Sequence, residues 1–585
     1  MYDDLNRLVR KTLPAVNVLN NPNDSKPTVK SPEYHYEYDS EGNLVKEISP
    51  LGSAVIHEYD EMNREIRTTT SFTVKDGVKR TAVTRNFYDL AGNKIEVMDA
   101  GGKSSWFEYT ARGWLKRKID PNGGVTSFTY DLMGNRISET DPRGNIPGAA
   151  PNSFTAWYFY DGLYRVVKAV LPDKTPPSDP NNPGDNPVIV FEYDYNGNCI
   201  KETKANGQVI TYTYDGRNRL LSQSASLNGK TYTSRFEYDG VGNKRFVHDN
   251  KGNKTEYVYD ALNRLVRMVF PEGNTASYKY DKNGNKIEAE DGKHNRTVAE
   301  YNALNQVIRV TDAENVDKQE SDQKSTRLYY NEEGKLTKQV SPTSLTTKFF
   351  LNELGMPLRV VDSLGQSRYF DYDAAGNVTY KKDPMGTETR FEYDEMYRIL
   401  QTSLQNGSRT QSLSYQYDIV GNLKKADNGQ VKLVYNNAEG NYDTDPFNRT
   451  SKVEQVMPDG TRYATEYRYD IMGQMTGIRY PKSANWLTYD YDQMGRLVGI
   501  PGFAGSKDNP GFMYDNNNAL ESVKTDNGVT TTYQRDNNGR ITSINAAKSG
   551  ANILSLTYVF DDANQIIQRN DNSYVYDKVS RLTQA

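Results

Sequence analysis

The sequence predicts an all-β protein: a long antiparallel ribbon of β-hairpins, built from repeats of about 21 residues, that coils into a hollow tube or shell. Three observations predict this fold. A Tyr-Asp-x-x-Gly-Asn or Tyr-Asp-x-x-Asn-Arg motif recurs along the chain, aromatic and β-branched residues alternate with polar ones before each motif, and two kinds of turn separate these stretches. Alternation with period two is typical of strands, because successive side chains point to opposite faces of a sheet.

The repeat extends over nearly the whole chain. The tyrosine, or its equivalent in degenerate copies, falls at residues 2, 38, 59, 88, 109, 130, 160, 193, 214, 238, 259, 280, 301, 330, 351, 372, 393, 417, 442, 469, 491, 514, 535, 560 and 576. Eleven of the 24 steps between these positions are 21 residues, and nearly all the others are longer. This periodicity indicates a repeat architecture rather than the four domains of ~150 residues that length alone suggests.

Two forms of the motif alternate, so the unit is a pair of copies that spans about 42 residues. Gly-Asn forms follow the tyrosine positions 38, 88, 130, 193, 238, 280, 372 and 417. Asn-Arg or similar forms follow positions 59, 160, 214, 259 and 393. Insertions mostly follow the second form, which confines length variation to alternate connections.

The turn after each Tyr-Asp supplies the candidate structural residues. The aspartate carboxylate can accept hydrogen bonds from main-chain N–H groups two residues on, and glycine adopts positive φ without steric cost. We predict a structural role for the Tyr, Asp, Gly and Asn of seven turns: Tyr38, Asp39, Gly42, Asn43, Tyr88, Asp89, Gly92, Asn93, Tyr130, Asp131, Gly134, Asn135, Tyr193, Asp194, Gly197, Asn198, Tyr238, Asp239, Gly242, Asn243, Tyr280, Asp281, Gly284, Asn285, Tyr372, Asp373, Gly376 and Asn377.

A second turn separates consecutive copies and is often spelled Asp-Pro-x-Gly, as at Asp120, Asp141 and Asp383. Proline fixes φ for the second position of a turn. Each copy then contributes two strands of roughly six to seven residues, and the whole chain on the order of 50 strands. Open sheets rarely exceed ~10 strands without curling, so this ribbon must coil.

The composition agrees with such a fold. Only 36% of the 585 residues are hydrophobic, which would suit a disordered chain, yet the net charge is only -4 and disorder usually combines low hydrophobicity with high net charge. Tyrosine outnumbers phenylalanine, with 44 residues against 18. Aromatic side chains that carry a hydroxyl suit surfaces that are buried at one end and wet at the other.

Several classes of function are not supported. Interspersed charges give no basic footprint for nucleic acid, and no run approaches the ~18 apolar residues of a spanning helix. The first residues have neither the basic nor the apolar region of a signal peptide. Cys199 is the single cysteine, so no intrachain disulfide can form.

We predict no catalytic, cofactor-binding or metal site. Calcium loops need several oxygens from one short stretch, whereas each turn here supplies one aspartate. His35, His57, His248 and His294 are scattered and lack the spacing of a zinc motif, and no nucleophile elbow or phosphate loop occurs. Cys199 occupies a position that holds Lys, Leu or Arg in other copies, so we expect a structural thiol.

We expect one continuous shell over residues 1–585, interrupted by insertions near 11–31, 146–155, 171–188, 311–327 and 500–511. Variable loops on a rigid scaffold often carry binding, although loop length costs little free energy and such loops can be merely tolerated. The longest is rich in proline, aspartate and asparagine.

The Tyr-Asp-x-x-Gly-Asn motif with its 21-residue step resembles the YD repeats of the rearrangement-hotspot (RHS) proteins, which also occur in toxin complexes and teneurins. The resemblance covers nearly the whole chain. It implies a ribbon that spirals into a hollow shell, which in bacterial toxin members encloses a C-terminal toxin and in teneurins belongs to a cell-surface protein. The Arg-Tyr-Tyr-Asp-Pro-like stretch and autoprotease motif of members that release a toxin do not occur here. We therefore expect this sequence to be a segment of a longer protein.

The resemblance implies a non-catalytic shell segment of a bacterial RHS-type toxin or toxin-complex protein. The expected partner is a protein cargo, the toxin domain, or other segments of the same protein, with no nucleic acid and no membrane insertion by this segment. The alternative is an extracellular adhesion, carbohydrate-binding or fibre-forming protein, whose partner is a cell-surface glycan. Either function implies a secreted or cell-surface location.

Overall fold

The computed structural model describes residues 1–173, 181, 184, 186–435 and 447–585. The predicted all-β class is confirmed, since 52% of the residues are in strands and 2% in helix. The 3₁₀ segments are short, at Lys75–Gly77, Pro142–Asn145, Pro151–Phe154 and Glu320–Asp322. The tyrosine equivalent at position 442 lies outside the described residues, as does most of the insertion near 171–188.

The described residues form 53 strands, close to the predicted number. The first 27 are β1 Arg10–Thr12, β2 Val16–Val18, β3 Thr28–Lys30, β4 Glu33–Tyr38, β5 Leu44–Ile48, β6 Ala54–Tyr59, β7 Glu65–Thr73, β8 Lys79–Tyr88, β9 Lys94–Met98, β10 Ser104–Tyr109, β11 Leu115–Ile119, β12 Val125–Tyr130, β13 Arg136–Thr140, β14 Thr155–Tyr160, β15 Val166–Val170, β16 Val188–Tyr193, β17 Cys199–Thr203, β18 Val209–Tyr214, β19 Leu220–Leu227, β20 Lys230–Tyr238, β21 Lys244–His248, β22 Lys254–Tyr259, β23 Leu265–Val269, β24 Thr275–Tyr280, β25 Lys286–Glu290, β26 Arg296–Tyr301 and β27 Val307–Thr311. The others are β28 Thr326–Tyr330, β29 Leu336–Val340, β30 Thr346–Leu351, β31 Pro357–Val361, β32 Ser367–Tyr372, β33 Val378–Lys382, β34 Glu388–Tyr393, β35 Ile399–Asn406, β36 Arg409–Tyr417, β37 Leu423–Asp427, β38 Lys432–Tyr435, β39 Lys452–Val456, β40 Arg462–Tyr469, β41 Met475–Arg479, β42 Leu487–Thr488, β43 Asp490–Tyr491, β44 Leu497–Gly499, β45 Phe512–Tyr514, β46 Leu520–Lys524, β47 Val529–Arg535, β48 Ile541–Lys548, β49 Ala551–Phe560, β50 Ile566–Arg569, β51 Asn572–Ser573, β52 Val575–Tyr576 and β53 Leu582–Gln584.

The strands pair antiparallel in an unbroken meander. β1 pairs with β4, and from β4 to β42 each strand pairs with the next one in sequence, which makes one sheet of 40 strands. A second meander of seven strands runs from β45 to β51. β2 with β3, β43 with β44 and β52 with β53 form two-stranded sheets.

Each Tyr-Asp hairpin has the same register. In the hairpin β4–β5, Tyr36 faces Glu47 and Tyr38 faces Leu44, with a bulge between Glu37 and Tyr38. The same bulge precedes the tyrosine position in the other hairpins, as at Tyr130 and Tyr280. Most strands of the repeat are five or six residues long, slightly shorter than the predicted six to seven. The bulge and the turn use residues that the alternating pattern had assigned to the strands.

The ribbon coils upon itself. We call residues 1–325 the first coil, residues 326–585 the second coil, the turns after Tyr-Asp the YD turns, and the turns between copies the connecting turns. Connecting turns of the first coil contact YD turns of the second through residues 264 to 298 positions apart. These contacts define a seam, and include Ser49–Glu333, Asp99–Tyr397, Lys103–Glu395, Asn122–Ile419, Asn206–Gln493, Lys251–Asn517, Glu272–Asn538, Asn274–Asp562, Lys293–Asp561 and Glu314–Lys578.

The seam fixes the size of the coil. Its partners are separated by about 24 strands, and strands lie ~4.8 Å apart, which gives a circumference of about 115 Å and a backbone diameter of about 37 Å. The wall is a single sheet for most of its length. The chain therefore forms a hollow coil, as the number of strands predicts.

Apolar packing is concentrated at the seam rather than in a central core. The long hairpin β7–β8 extends beyond the edge of the ribbon, and its buried Phe72 and Val74 pack with Tyr372 of the second coil. The partly buried Met356 and Phe370 of the second coil cover the same cluster. Length variation in the connections thus serves contact between coils.

Candidate functional site

The seven predicted turns share one hydrogen-bond arrangement. The aspartate Oδ1 accepts a bond of 2.8–2.9 Å from the main-chain N–H of the motif asparagine, and Oδ2 accepts a bond of 2.7–3.0 Å from that asparagine's side chain. The glycine between them has φ between 89° and 111°, the left-handed region in which L side chains are strained. The four motif residues therefore close one compact turn.

These hydrogen bonds shift the acidity of the aspartates. The side chain of Asn43 lowers the pKa of Asp39, and the Arg64 side chain lowers that of Asp60. At Asp215 the main-chain N–H of Arg219 is the largest cause, followed by the Arg219 side chain, and together they lower the pKa to about 2. The ionised carboxylate is the form that the turn binds.

The tyrosine hydroxyls join each copy to the one before it. Tyr214 Oη donates a 2.9 Å hydrogen bond to the main-chain oxygen of Cys199, and Tyr130 donates one of 2.8 Å to Leu115. The other six predicted tyrosines make the same contact with main-chain oxygens at Leu8, Glu65, Val166, Leu220, Leu265 and Pro357. Phenylalanine lacks this donor, which explains the excess of tyrosine.

The alternation of the two motif forms has a structural cause. In the Asn-Arg form, the asparagine takes the left-handed position of the glycine, with φ of 59° at Asn63. Arg64 Nε donates 2.8 Å to Asp60, while Arg64 Nη1 donates 3.2 Å to the main-chain oxygen of Asp89 in the following copy. The guanidinium also lies 4.6 Å from the centre of the Tyr88 ring, a cation–π distance.

Eight arginines repeat this bridge to the next YD turn, with donor–acceptor distances of 2.5–3.3 Å: Arg7, Arg64, Arg165, Arg219, Arg264, Arg398, Arg449 and Arg540. The Gly-Asn form makes a different bridge to the Asn-Arg copy that follows it. Asn43 Nδ2 donates 2.9 Å to Asn63 Oδ1, and Asn198 donates 2.9 Å to Asn218. Two different bridges therefore alternate along the ribbon, which accounts for the unit of two copies.

Charged side chains reinforce the seam. Lys251 lies 2.8 Å from Asp515, Lys293 lies 3.0 Å from Asp561, and Lys103 pairs with Glu395. Glu353 of the second coil binds the end of hairpin β7–β8. Its carboxylate accepts hydrogen bonds of 2.6 Å and 2.8 Å from the main-chain N–H and the hydroxyl of Thr73. Burial raises the pKa of Glu353, but the bonds from Thr73 and the ammonium of Lys79 outweigh it and lower the pKa to about 2.

The sequence pattern did not reveal the long-range partners. The bridging arginines belong to motif forms that were recognised, but their bond to the next turn leaves no mark in a single copy. The seam residues Lys103, Glu353 and Glu395 were not singled out, since they occupy variable positions and their partners are more than 270 residues away. No local pattern could have found them.

The other residues considered from the sequence lie apart from one another. Asp120 and Asp383 each close a five-residue turn, whereas the turn at Asp141 is opened by the insertion that follows it, so that Asp141 N–H bonds Phe154 instead. His57 contacts Glu65 and His248 contacts Glu237, both within the sheet. Burial raises the pKa of the Cys199 thiol.

The described residues contain neither a cluster of metal ligands nor a helix that could span a membrane. Among residues 1–173, 181, 184, 186–435 and 447–585, no group of three or more His, Cys, Asp or Glu is placed to hold a metal ion. Nor does this part of the chain contain a helix long and apolar enough to span a membrane.

Two of the insertions, those near 11–31 and 311–327, contact the second coil. The segment 11–31 holds the small sheet β2–β3, and the main-chain oxygen of its buried Leu19 accepts a 2.7 Å hydrogen bond from Thr337 of the second coil. The segment 311–327 supplies Glu314 and Asp317, which contact Lys578. The segment 146–155 contains the 3₁₀ segment Pro151–Phe154, and within 500–511 the main chain closes short bridges around the buried Ala504.

Two family models of known repeat proteins match parts of this chain. The family model of the teneurin YD-shell matches residues 189–435, and that of the RHS repeat matches residues 109–146. The chain is therefore a YD/RHS-repeat protein, and its fold is the β-shell of that class.

The solved structure and the two sequence relatives that resemble this chain are all longer proteins. The structure described as TcdB2-TccC3 matches with a TM-score of 0.76 and 12% identity, over 99% of this chain and 40% of that one. Double-stranded DNA deaminase toxin A of Burkholderia cenocepacia is 22% identical over 489 residues, which are 79% of this chain and 32% of the toxin. The tRNA3(Ser)-specific nuclease WapA of Bacillus spizizenii is 26% identical over 231 residues, 39% of this chain and 8% of that protein. The chain thus spans less than half the length of these proteins.

Proposed function

We propose that this chain is a wall segment of a bacterial RHS-type toxin or toxin-complex shell, and that the shell encloses a protein cargo, the C-terminal toxin of a longer protein. The contacts along the seam are the main support for this proposal. A ribbon that only curled would leave a gap between successive coils, whereas here connecting turns and YD turns meet at intervals from Ser49 to Glu314. A continuous wall is what isolation of a cargo requires.

The dimensions suit a cargo that is not compactly folded. Side chains extend ~5 Å from a sheet, half the spacing of stacked sheets, so a backbone diameter of about 37 Å leaves a lumen of about 27 Å. A folded domain of 100 residues has a radius of gyration of ~13 Å, which corresponds to a sphere about 34 Å across. A domain of that size enters such a lumen only in a non-native form.

The proposed role is structural and not catalytic. The two curated relatives are named for different activities, deamination of double-stranded DNA and cleavage of tRNA, yet both match this chain. A segment common to proteins with different activities is best explained as the part that they use in the same way. We further propose that the protein is secreted or displayed at the cell surface.

Electron cryomicroscopy of the full-length protein tests the proposal. We expect a closed hollow shell with density inside the lumen, and protection of that interior from added protease. An empty, open-ended fibre would contradict it and favour the adhesion or carbohydrate-binding alternative, which binding of the purified protein to a glycan panel then examines. Hydrolytic activity of the purified chain that disappears with one point substitution would overturn the non-catalytic role.

A further inference from the structure

A cavity of about 460 Å³ lies in the wall where the insertion near 11–31 meets the second coil. Its lining includes residues 20–23 of that insertion, residues 51 and 53 of a connecting turn, the YD turns that begin at Asn331 and Asn352, and residues 349–351 of β30. The volume falls within the range of ~300–1,000 Å³ that is usual for small-molecule sites. Both coils contribute to the lining, so the cavity forms only where the ribbon has closed upon itself.

The insertion is fixed over the cavity by hydrogen bonds to the second coil. Asn20 Nδ2 donates a 2.7 Å bond to Glu332 Oε1, and Asn20 Oδ1 accepts one of 3.0 Å from the main-chain N–H of Glu332. The main-chain N–H of Leu19 donates a 2.6 Å bond to the main-chain oxygen of Tyr330. A site whose walls are already ordered loses less conformational entropy when a ligand binds.

Asn331 presents an unused hydrogen-bond donor to this cavity. The residue is only 7% exposed, and its Oδ1 accepts hydrogen bonds from the main-chain N–H groups of Glu333 and Lys335. Within the described part of the chain, its Nδ2 has no acceptor. Buried donors without a partner are rare in folded proteins, so this amide indicates that a bound group supplies the acceptor.

Two related turns show that the amide of Asn331 is an exception. Three YD turns carry asparagine in place of the aspartate, at positions 302, 331 and 352. Asn302 Nδ2 donates a 2.8 Å bond to Gln306 Oε1, and Asn352 Nδ2 donates one of 3.1 Å to the main-chain oxygen of Thr73. The residue that corresponds to Gln306 in the turn at 331 is Lys335, whose side chain has no acceptor.

Glu333 supplies an acceptor from the same turn. Its Oε1 accepts a hydrogen bond from the hydroxyl of Ser49, and among the described residues its carboxylate has no ion pair. Glu353, the other carboxylate of the lining, is already bound by Thr73 and Lys79. The unpaired negative charge of Glu333 disfavours an anionic ligand.

We propose that this cavity binds a neutral saccharide unit. The ligand must accept a hydrogen bond from Asn331 and donate one to Glu333, and a hydroxyl group does both. Phe349, Leu351 and Leu358 complete the lining with apolar surface, which suits the C–H face of a sugar ring. The site is a feature of the seam and is independent of whether the shell holds a cargo.

Saturation-transfer NMR on the purified chain tests the proposal with a panel of neutral monosaccharides and disaccharides, the corresponding uronic acids, and spermidine. We expect at least one neutral saccharide to bind. The uronic acids should bind more weakly because of Glu333, and spermidine because an ammonium group offers no acceptor to Asn331. Comparison of the free sugar with the same sugar at the end of an immobilised oligosaccharide distinguishes a soluble ligand from a surface glycan, and binding of either supports the site.

Asn331→Asp tests the unused donor directly. Aspartate is the usual residue at this position, so the turn should still form, but the change removes the N–H and adds a second charge. The variant should bind the saccharide at least about tenfold more weakly, because loss of one partner leaves the other buried and unpaired. Glu333→Gln, which keeps an acceptor for Ser49, should also weaken binding. Asn302→Asp, made where Gln306 already satisfies the amide, is the matched control and should bind like the parent chain.

Several results would overturn the proposal. Failure of every neutral saccharide to bind would do so, as would binding that neither Asn331→Asp nor Glu333→Gln weakens. Equal losses in Asn331→Asp and Asn302→Asp would mean that the unused donor is not what the sugar contacts. Tighter binding of a uronic acid or of spermidine than of any neutral saccharide would refute the chemical class of the ligand.

Discussion

Arg64 joins its own turn to the next copy by donating a 3.2 Å hydrogen bond from Nη1 to the main-chain oxygen of Asp89. The bond needs the fork of the guanidinium, because Nε is held by Asp60 at the same time. An ammonium group supplies one point charge and cannot span both acceptors. The pairwise unit of the repeat therefore depends on a property that distinguishes arginine from lysine.

Replacement of Arg64 by lysine should lower the midpoint of thermal unfolding by about 1–3 °C, and replacement by alanine should lower it further. Lysine keeps one of the two bonds, whereas alanine keeps neither and also removes the contact with the Tyr88 ring. Arg368→Lys, at an exposed position, is the matched control and should have no effect. Equal midpoints for the parent chain and Arg64→Lys would show that the bridge does not stabilise the ribbon.

The tyrosine hydroxyl should stabilise the folded chain independently of the packing of its ring. Tyr214→Phe removes the 2.9 Å bond to the main-chain oxygen of Cys199 and should cost about 0.5–1.5 kcal/mol of unfolding free energy. Denaturant unfolding measures the change. Tyr195→Phe, whose ring is fully exposed, should be neutral, and a loss of similar size there would argue against the hydroxyl bridge.

At the left-handed position of the turn, the stability cost of a substitution should depend on how readily the new residue adopts positive φ. Gly42 has φ of 93° with open space around its Cβ position, so Gly42→Ala should cost about 1–2 kcal/mol through backbone strain alone. Gly42→Asn should cost less, because asparagine occupies this position at Asn63. Gly216 also has open space but no positive φ. Unfolding experiments should therefore find Gly216→Ala close to neutral, and a cost equal to that of Gly42→Ala would refute the strain argument.

The lowered pKa values of the turn aspartates should make the folded chain less stable in acid. The pKa of Asp215 in the folded chain is about 2, below its ordinary value of 3.8, so the folded state binds the ionised form. The stabilisation is complete above pH ~4 and is lost as the pH falls toward 2. Melting temperatures should be flat from pH 7 to 5 and fall below about 4. The deficit of Asp215→Asn relative to the parent chain should shrink at low pH, and a constant deficit would contradict this linkage.

A charge reversal tests the seam. Lys103→Glu places like charges beside Glu395 and should increase hydrogen exchange in the turns around residues 99–103 and 394–398, and Glu395→Lys in addition should restore protection. The pair is partly exposed, so the effect is small, about 0.2–1 kcal/mol. Lys46→Glu disrupts a pair within one hairpin and serves as the control, which should leave exchange at the seam unchanged. Equal exchange in the double and single variants would mean that this pair does not hold the coils together.

The local structure could be predicted from single copies of the motif. Tyr38, Asp39, Gly42 and Asn43 lie within six residues, and steric limits on φ together with period-two alternation are enough to define a strand, a turn and a return strand. The number of copies then required the ribbon to coil, because a flat sheet of this length has two long unprotected faces. The length of the strands was slightly overestimated, since the bulge before each tyrosine is invisible in the alternation.

The way in which the two coils meet could not be predicted from the repeat. The partners Thr73 and Glu353 are 280 residues apart, and their contact depends on the accumulated twist and curvature of more than 20 strands, which no single copy encodes. The repeat, its turn chemistry and the need for a hollow fold could all be derived from the residues alone, because they follow from interactions within a few residues and from the number of copies. The diameter of the coil and the residues of the seam are set by closure of the ribbon upon itself.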